Sequence, residues 1–213
     1  MTLLYKIGSA FFYSLFYFIY RHKIYGQENL PKGAAIIAPN HQSYFDPPLI
    51  GISCLEEIFY LARDSLFKRP LLGPLIRLLN AYPLSGGSSD RGSLKSIQFL
   101  LAKQKKVVIF PEGVRSSNGN LSQIKPGITL LAFRSRAPIV PVYIHGTFHI
   151  WPRNRIFPKL WGKTACVFGH PFYPDQFAHL EKKEAQQALA EALIERISLL
   201  RTWYLQGAKG PIP

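Results

Sequence analysis

The chain is expected to fold as an α/β sandwich, a mostly parallel sheet with helices on both faces. Three observations lead there. Short apolar runs that read as buried strands recur at Ala34–Ala38, Ile58–Ala62, Ala81–Leu84, Val107–Phe110, Ile139–Ile144 and Thr164–Gly169. Segments with helical spacing alternate with them; Leu94, Ile97, Leu100 and Leu101 form one such series. And 213 residues without internal repeats or low-complexity tracts suit one domain with a real core.

The amino-terminal segment comes first. From Ile7 to Tyr20 the chain reads IGSAFFYSLFYFIY, without a charge, and Arg21, His22 and Lys23 close the run. A spanning helix needs about 20 apolar residues, so the run is short for a span. No small-x-small cleavage site follows, and the basic cluster sits where signal-peptide cleavage would fall. Aromatic residues dominate: Phe11, Phe12, Tyr13, Phe16, Tyr17, Phe18 and Tyr20. Tyrosine favours the headgroup level, and a basic flank pairs with anionic lipid. The reading this supports is a membrane-associating helix over 1–24 that lies in one leaflet; a true span and a helix packed on the core are the alternatives.

A connector from Tyr25 to Gly33, with a turn at Pro31-Lys32-Gly33, leads into the first buried strand. Asp46-Pro47-Pro48 starts a helix, since aspartate caps and proline suits the first turn. The second strand ends at Arg63-Asp64; Pro70, Gly73 and Pro74 then frame a short apolar helix through Leu79. After the third strand come a helix over Asp90–Gln104, the fourth strand, a helix over Gly127–Arg136 and the fifth strand. A loop with Trp151 and Trp161 precedes the last strand and a helix from Glu181 to Tyr204. One main domain is expected over 25–206, and 207–213 as a loose tail.

Lysine and arginine number 26 against 12 aspartates and glutamates, a formal charge of +14. Such a chain attracts polyanions: nucleic acid, anionic lipid, or phosphorylated and CoA-type substrates. The basic residues are scattered, no nucleic-acid-binding motif is present, and the aromatic leading segment favours lipid. Nucleic acid is therefore not an expected partner. Cys54 and Cys166 stand far apart in apolar surroundings, without metal-ligand spacing, as core thiols of a reducing compartment do. His145, His149, His170 and His179 show no metal spacing either, and no metal site is expected.

Two polar islands, each fed by an apolar strand, carry the chemistry. The first, Asn40-His41-Gln42-Ser43-Tyr44-Phe45-Asp46, follows Ala34-Ala35-Ile36-Ile37-Ala38-Pro39. The second, Pro111-Glu112-Gly113-Val114-Arg115-Ser116, follows Val107-Val108-Ile109-Phe110. The first turn can fold Asp46 back onto His41. A carboxylate on Nδ1 fixes the tautomer and leaves Nε2 as a general base near neutral pH; a structural His–Asp pair is the alternative. No serine sits in a Gly-x-Ser-x-Gly elbow, which disfavours a serine-nucleophile hydrolase. Attack on an acyl thioester by a substrate hydroxyl that His41 activates is the leading chemistry. In the second island Arg115 offers bidentate contact to a phosphate, and Gly113 lets backbone come close. A surface turn with an Arg–Glu pair is the plainer reading. Lys125-Pro126-Gly127 opens a helix whose amino end favours anions.

Four motifs stand in a telling order: Asn40-His41-(four residues)-Asp46, Phe110-Pro111-Glu112-Gly113-Val114-Arg115-Ser116, Lys125-Pro126-Gly127 and Val140-Pro141-Val142. In order and approximate spacing they resemble the bacterial-type 1-acylglycerol-3-phosphate acyltransferases over about residues 25 to 170. The first two motifs together are specific; the last two are weak alone. The resemblance implies a glycerolipid-acyltransferase-like sandwich, with His41 as general base and Asp46 orienting it. It also implies Glu112 and Arg115 on the glycerol-phosphate acceptor, and the strand around Pro141 near the acyl-donor site. One departure stands out. The family carries an arginine at the end of the strand between the islands; here that place falls at Ser85 or Gly86. Arg91, Arg63 or the amides of the glycine-rich turn are the substitutes for a phosphate ligand.

The expected enzyme acylates lysophosphatidic acid to phosphatidic acid, with acyl-CoA or acyl carrier protein as donor and no cofactor. Its expected place is the cytoplasmic face of the inner or plasma membrane, among membrane lipids. The rivals are an acyltransferase for glycerol 3-phosphate or another lyso-lipid, and a non-catalytic module that binds anionic lipid. The second has no need of His41 and Asp46. The aromatic-basic loop from Thr147 to Lys163, with Trp151, Arg153, Arg155, Lys159 and Trp161, has two readings: a second bilayer contact, or a long loop with core-packed tryptophans.

Overall fold

Side chains of a strand alternate between the two faces of its sheet, so a strand apolar at every position must be covered on both. The computed structural model, which describes residues 3–54, 56–70, 72–84 and 91–213, shows that arrangement. Its elements are α1 (Leu3–Tyr20), β1 (Lys23–Tyr25), β2 (Ala35–Pro39), α2 (Asp46–Ser53), β3 (Ile58–Arg63), α3 (Asp64–Phe67) and α4 (Leu72–Leu78). There follow β4 (Ala81–Leu84), α5 (Arg91–Ala102), β5 (Lys106–Val108), α6 (Pro126–Ser135), β6 (Ile139–His145), α7 (Thr147–Ile150), β7 (Ala165–Phe168) and α8 (Lys182–Leu205). In β2, Ile36 and Ala38 face a core built with Ile97, Leu100 and Leu101 of α5, Ile128 and Leu131 of α6, and Leu189, Leu193 and Ile197 of α8. Ala35 and Ile37 face the other core, with Phe16 and Tyr20 of α1 and Leu49 and Ile50 of α2.

The seven strands form one sheet in the order β1-β7-β6-β2-β5-β3-β4. The run from β6 through β2, β5 and β3 to β4 is parallel. β7 returns antiparallel to β6, and β1 lies parallel to β7. The short α7 and a loop join β6 to β7, and the chain turns back along β6. The α/β sandwich with a mostly parallel sheet is therefore as the sequence predicts.

Four details differ from the expectation. β1 was hidden inside the connector and the helix flank; three residues, one of them Lys23, show no period, and pairing with Ala165–Val167 supplies the order. α1 does not stand apart as a unit over 1–24. Phe16 and Tyr20 are buried and Phe12 and Ile19 pack beside them, while Phe11, Tyr13, Tyr17 and Phe18 face outward. Nor is 207–213 loose: Gly207, at φ +100°, turns the chain back, Trp203 donates to the Lys209 carbonyl at 3.0 Å, and Ile212 packs on the cluster of Tyr143, Val167 and Leu200. The short helices α3 and α7 had no sequence signal, four residues being too few to show one. The glycine-rich turn, with Ser85, Gly86 and Asp90, lies outside the described residues. Cys54 and Cys166 are free thiols, and burial pushes the Cys166 thiol up to about 12.

Candidate active site

The first island begins where β2 stops. Asn40 takes over from the backbone: its Oδ1 accepts the Ile144 N–H at 2.7 Å, and its Nδ2 donates to the Ile144 carbonyl at 3.1 Å. The side chain thus adds one rung to the β2–β6 ladder and fixes the start of the turn. Asp46, buried at the head of α2, shapes the rest. Its Oδ2 accepts the amides of Gln42 at 2.6 Å and Ser43 at 2.7 Å, and meets Nδ1 of His41 at 2.8 Å. One carboxylate oxygen therefore closes the turn and aims the imidazole. A carboxylate only accepts, so Nδ1 carries a proton and Nε2 is the nitrogen left free of the pair. The ring is further held by Phe110, stacked at a centroid distance of 3.9 Å. His41 stays 17% exposed while Asp46 is fully buried, so the imidazole can be reached from outside and the carboxylate cannot.

The second island is zipped onto the first. The Ser116 N–H donates to the His41 carbonyl at 2.8 Å, and Gln42 Nε2 to the Gly119 carbonyl at 3.2 Å. Glu112 is buried between them. Its Oε1 accepts the His41 N–H at 2.7 Å, and its Oε2 accepts both the N–H and the hydroxyl of Ser122, at 3.0 and 2.8 Å. Both oxygens already have partners within the protein, so Glu112 ties the two islands together whatever further contact it makes. A buried carboxylate takes the donors within reach, and the His41 amide is one of them.

Gly113 sits at φ +71°, a left-handed turn where a Cβ would lie 3.2 Å from the Lys125 side chain. Lys125 heads α6, donates its N–H to the Pro111 carbonyl at 2.8 Å, and is exposed beside Gly113. The Arg115 guanidinium lies over the Tyr44 ring, its carbon 3.5 Å from the centroid. Its Nη1 is buried and has no hydrogen-bond partner among the described residues. The turns after β2 and β5 thus gather His41, Asp46, Glu112, Gly113, Arg115 and Lys125. Arg63 ends β3 and Arg91 opens α5; their side chains lie outside what the structure describes. Pro141 is buried within β6 opposite Ala38, inside the sheet.

Sequence reasoning left several contributors without a role. Asn40 could have been found, as an amide directly after a strand-ending proline. Ser122 could not, since nothing marks a serine ten residues beyond Glu112 as its partner. Trp151, expected at the bilayer or packed on the core, is tied to the first island: Ser43 Oγ donates to its carbonyl at 2.8 Å, and its ring packs on Tyr44 and Phe45 at centroid distances of 5.0 Å.

A histidine base held by a buried carboxylate, with an unpaired arginine donor on the adjoining turn, suits transfer of a group to a hydroxyl of an anionic acceptor. The sequence pattern of the acyltransferase family matches residues 21–145, which hold all six of the gathered residues. This chain belongs to the acyltransferase family. The 1-acyl-sn-glycerol-3-phosphate acyltransferase of Bacillus subtilis is 32% identical to it, over 84% of this chain and 87% of the relative. The chloroplastic 1-acyl-sn-glycerol-3-phosphate acyltransferase LPAT1 of Arabidopsis thaliana is 28% identical over 83% of this chain; that match covers 50% of the plant protein. The crystal structure of the 1-acyl-sn-glycerophosphate (LPA) acyltransferase PlsC from Thermotoga maritima matches with a TM-score of 0.75 at 27% identity, over 98% of this chain and 80% of that one.

Proposed function

We propose that this acyltransferase is a 1-acyl-sn-glycerol-3-phosphate acyltransferase, converting lysophosphatidic acid to phosphatidic acid. The observation that carries the reading is the His41–Asp46 pair, at 2.8 Å, on a turn bonded to the one that bears Arg115. The relatives named for this activity and the matching fold support the substrate class. In the reaction, Arg115 and Lys125 hold the acceptor phosphate, and Nε2 of His41 takes the proton of the free glycerol hydroxyl. The oxygen attacks the thioester carbonyl and a tetrahedral oxyanion forms. The C–S bond then breaks, and the leaving thiolate takes the proton from the imidazolium. Asp46 stabilises that imidazolium while it exists. The donor, acyl-CoA or acyl carrier protein, is already activated as a thioester, so the scheme calls on no cofactor.

The acyl chains of acceptor and product place the reaction at a bilayer. Among the described residues, no helix is long and apolar enough to cross a membrane. α1 instead lies in one leaflet, on the cytoplasmic face where the thioester donors are, with Phe11, Tyr17 and Phe18 outward and Phe16 on the core. The test is an assay of purified protein with each donor against lysophosphatidic acid, glycerol 3-phosphate and a neutral lyso-lipid. Phosphatidic acid as the dominant product supports the reading. A clear preference for either other acceptor overturns it.

A further inference from the structure

The loop after α7 is where the fold makes an unexplained exposure. Between Trp151 and Thr164 it holds four large apolar side chains almost fully in solvent: Ile156 at 80%, Phe157 at 77%, Leu160 at 69% and Trp161 at 73%. Their display is not a product of slack backbone. The Trp151 indole donates to the carbonyls of Arg155 at 3.1 Å and Ile156 at 3.2 Å. The Lys159 N–H donates to the Ile150 carbonyl at 3.0 Å, and the Tyr20 hydroxyl of α1 to the Lys159 carbonyl at 2.9 Å. A loop tied at four points could have turned these side chains inward; it turns them out. Exposed apolar groups gathered in this way mark a surface that something covers.

The charges name the occupant. Arg153, Arg155, Lys159 and Lys163 are exposed in the same segment, which carries no acidic residue from Thr147 to Lys163. Aromatic and aliphatic tips interleaved with cations fit an anionic bilayer: the tips enter the acyl boundary and the cations meet the phosphates. The place fits too. The loop abuts the end of α1 through Tyr20, and its root is fastened to the catalytic turn, by Ser43 Oγ to the Trp151 carbonyl at 2.8 Å and a bridge between Ser43 and Pro152. Ser43 in turn gives its amide to Asp46.

We infer that residues 153–163 form a second bilayer-inserting element beside α1, which takes up an anionic leaflet and seats the His41–Asp46 turn at its surface. The inference rests on the lipid-acylating reading above and adds to it the segment that meets the lipid. Its test uses the full chain and two variants. Vesicles of phosphatidylglycerol and phosphatidylcholine, with brominated acyl chains, quench a tryptophan that enters them; Trp161→Phe supplies the blank. The wild-type protein loses fluorescence on these vesicles and Trp161→Phe loses much less. The double substitution Phe157→Asp with Trp161→Asp, at exposed positions, lowers the share of protein that floats with phosphatidylglycerol vesicles, although α1 is intact. It slows acylation of vesicle-embedded acceptor about tenfold or more, while acylation of a short-chain acceptor below its micelle concentration stays unchanged. Equal quenching of wild type and Trp161→Phe overturns the inference, as does unchanged flotation of the double variant, or its equal loss of activity on both acceptors. A protein that forms dimers through this loop without lipid overturns it as well. Quenching and flotation need no turnover, so an enzyme inactive on every lyso-acceptor would sink the functional reading and leave this one to stand or fall on the vesicles.

Discussion

Glu112 Oε1 accepts the backbone N–H of His41 at 2.7 Å, so the carboxylate of one island holds the main chain of the other at its histidine. Its second oxygen is taken by Ser122. Three donors meet one carboxylate, and a neutral amide in its place would set a donor against a donor. Glu112→Gln should therefore disturb where His41 stands. We expect kcat to fall about tenfold or more, since small displacements of a catalytic group are costly, with acceptor KM within about twofold of wild type. Steady-state kinetics over acceptor concentration separates the two. A strong rise in acceptor KM with kcat preserved would show that Glu112 touches the acceptor.

Asp46→Asn tests the carboxylate itself. The amide oxygen can still accept from Gln42, Ser43 and Nδ1 of His41, so the turn survives. The lost charge no longer stabilises the imidazolium, and turnover should fall on the order of 10²–10⁴-fold. Turnover within a few-fold of wild type would reduce Asp46 to a turn-former.

Arg115 should act on the acceptor side. Its Nη1 is buried and unpaired among the described residues, and its face is held by Tyr44. A charge-assisted hydrogen bond is worth about 1.5–3 kcal/mol. Arg115→Ala should then raise acceptor KM roughly 10- to 100-fold and leave donor KM nearly unchanged. Arg115→Lys should rescue only in part, because a point charge lacks the fork. A rise confined to donor KM would move Arg115 to the thioester side.

His22 gives the fold a pH dependence. It is buried, with Nδ1 3.0 Å from Thr164 Oγ1 and Nε2 2.8 Å from Ser53 Oγ, and burial pushes its imidazole down to about 4. Unfolded, it titrates near its ordinary 6.5. The unfolded chain thus binds the proton first, and His22's contribution is complete above pH 6.5 and lost as pH falls toward 4. At the bottom of that window the loss is about 3 kcal/mol. Thermal melts from pH 7 to 4 should show a smaller fall in Tm for His22→Gln than for wild type. Parallel curves would mean that His22 takes up its proton without cost to the fold.

The alternation of buried strands with helices was legible because both sheet faces are covered, which leaves strands such as β2 apolar at every position. The site was legible in the same places, since a polar island after such a strand has nowhere to go but the sheet edge. Contacts made across long stretches of chain were not. Nothing local ties Glu112 to the His41 amide or Ser43 to Trp151, 71 and 108 residues away. In α1, aromatic residues crowd the stretch from Phe11 to Tyr20 on every side of the helix, so the sequence could not say that Phe16 packs inward while Phe11 and Phe18 face out.

In the proposed reaction His41 is the group on which the chemistry turns, and one rate decides its role. Purified His41→Ala, shown by circular dichroism and melting to be folded, should be compared with wild type in forming phosphatidic acid from a thioester donor and lysophosphatidic acid. General-base removal predicts a rate lower by about 10²–10⁴-fold or more, with lipid binding retained. A folded His41→Ala enzyme that forms phosphatidic acid at a near-normal rate would contradict general-base catalysis by His41.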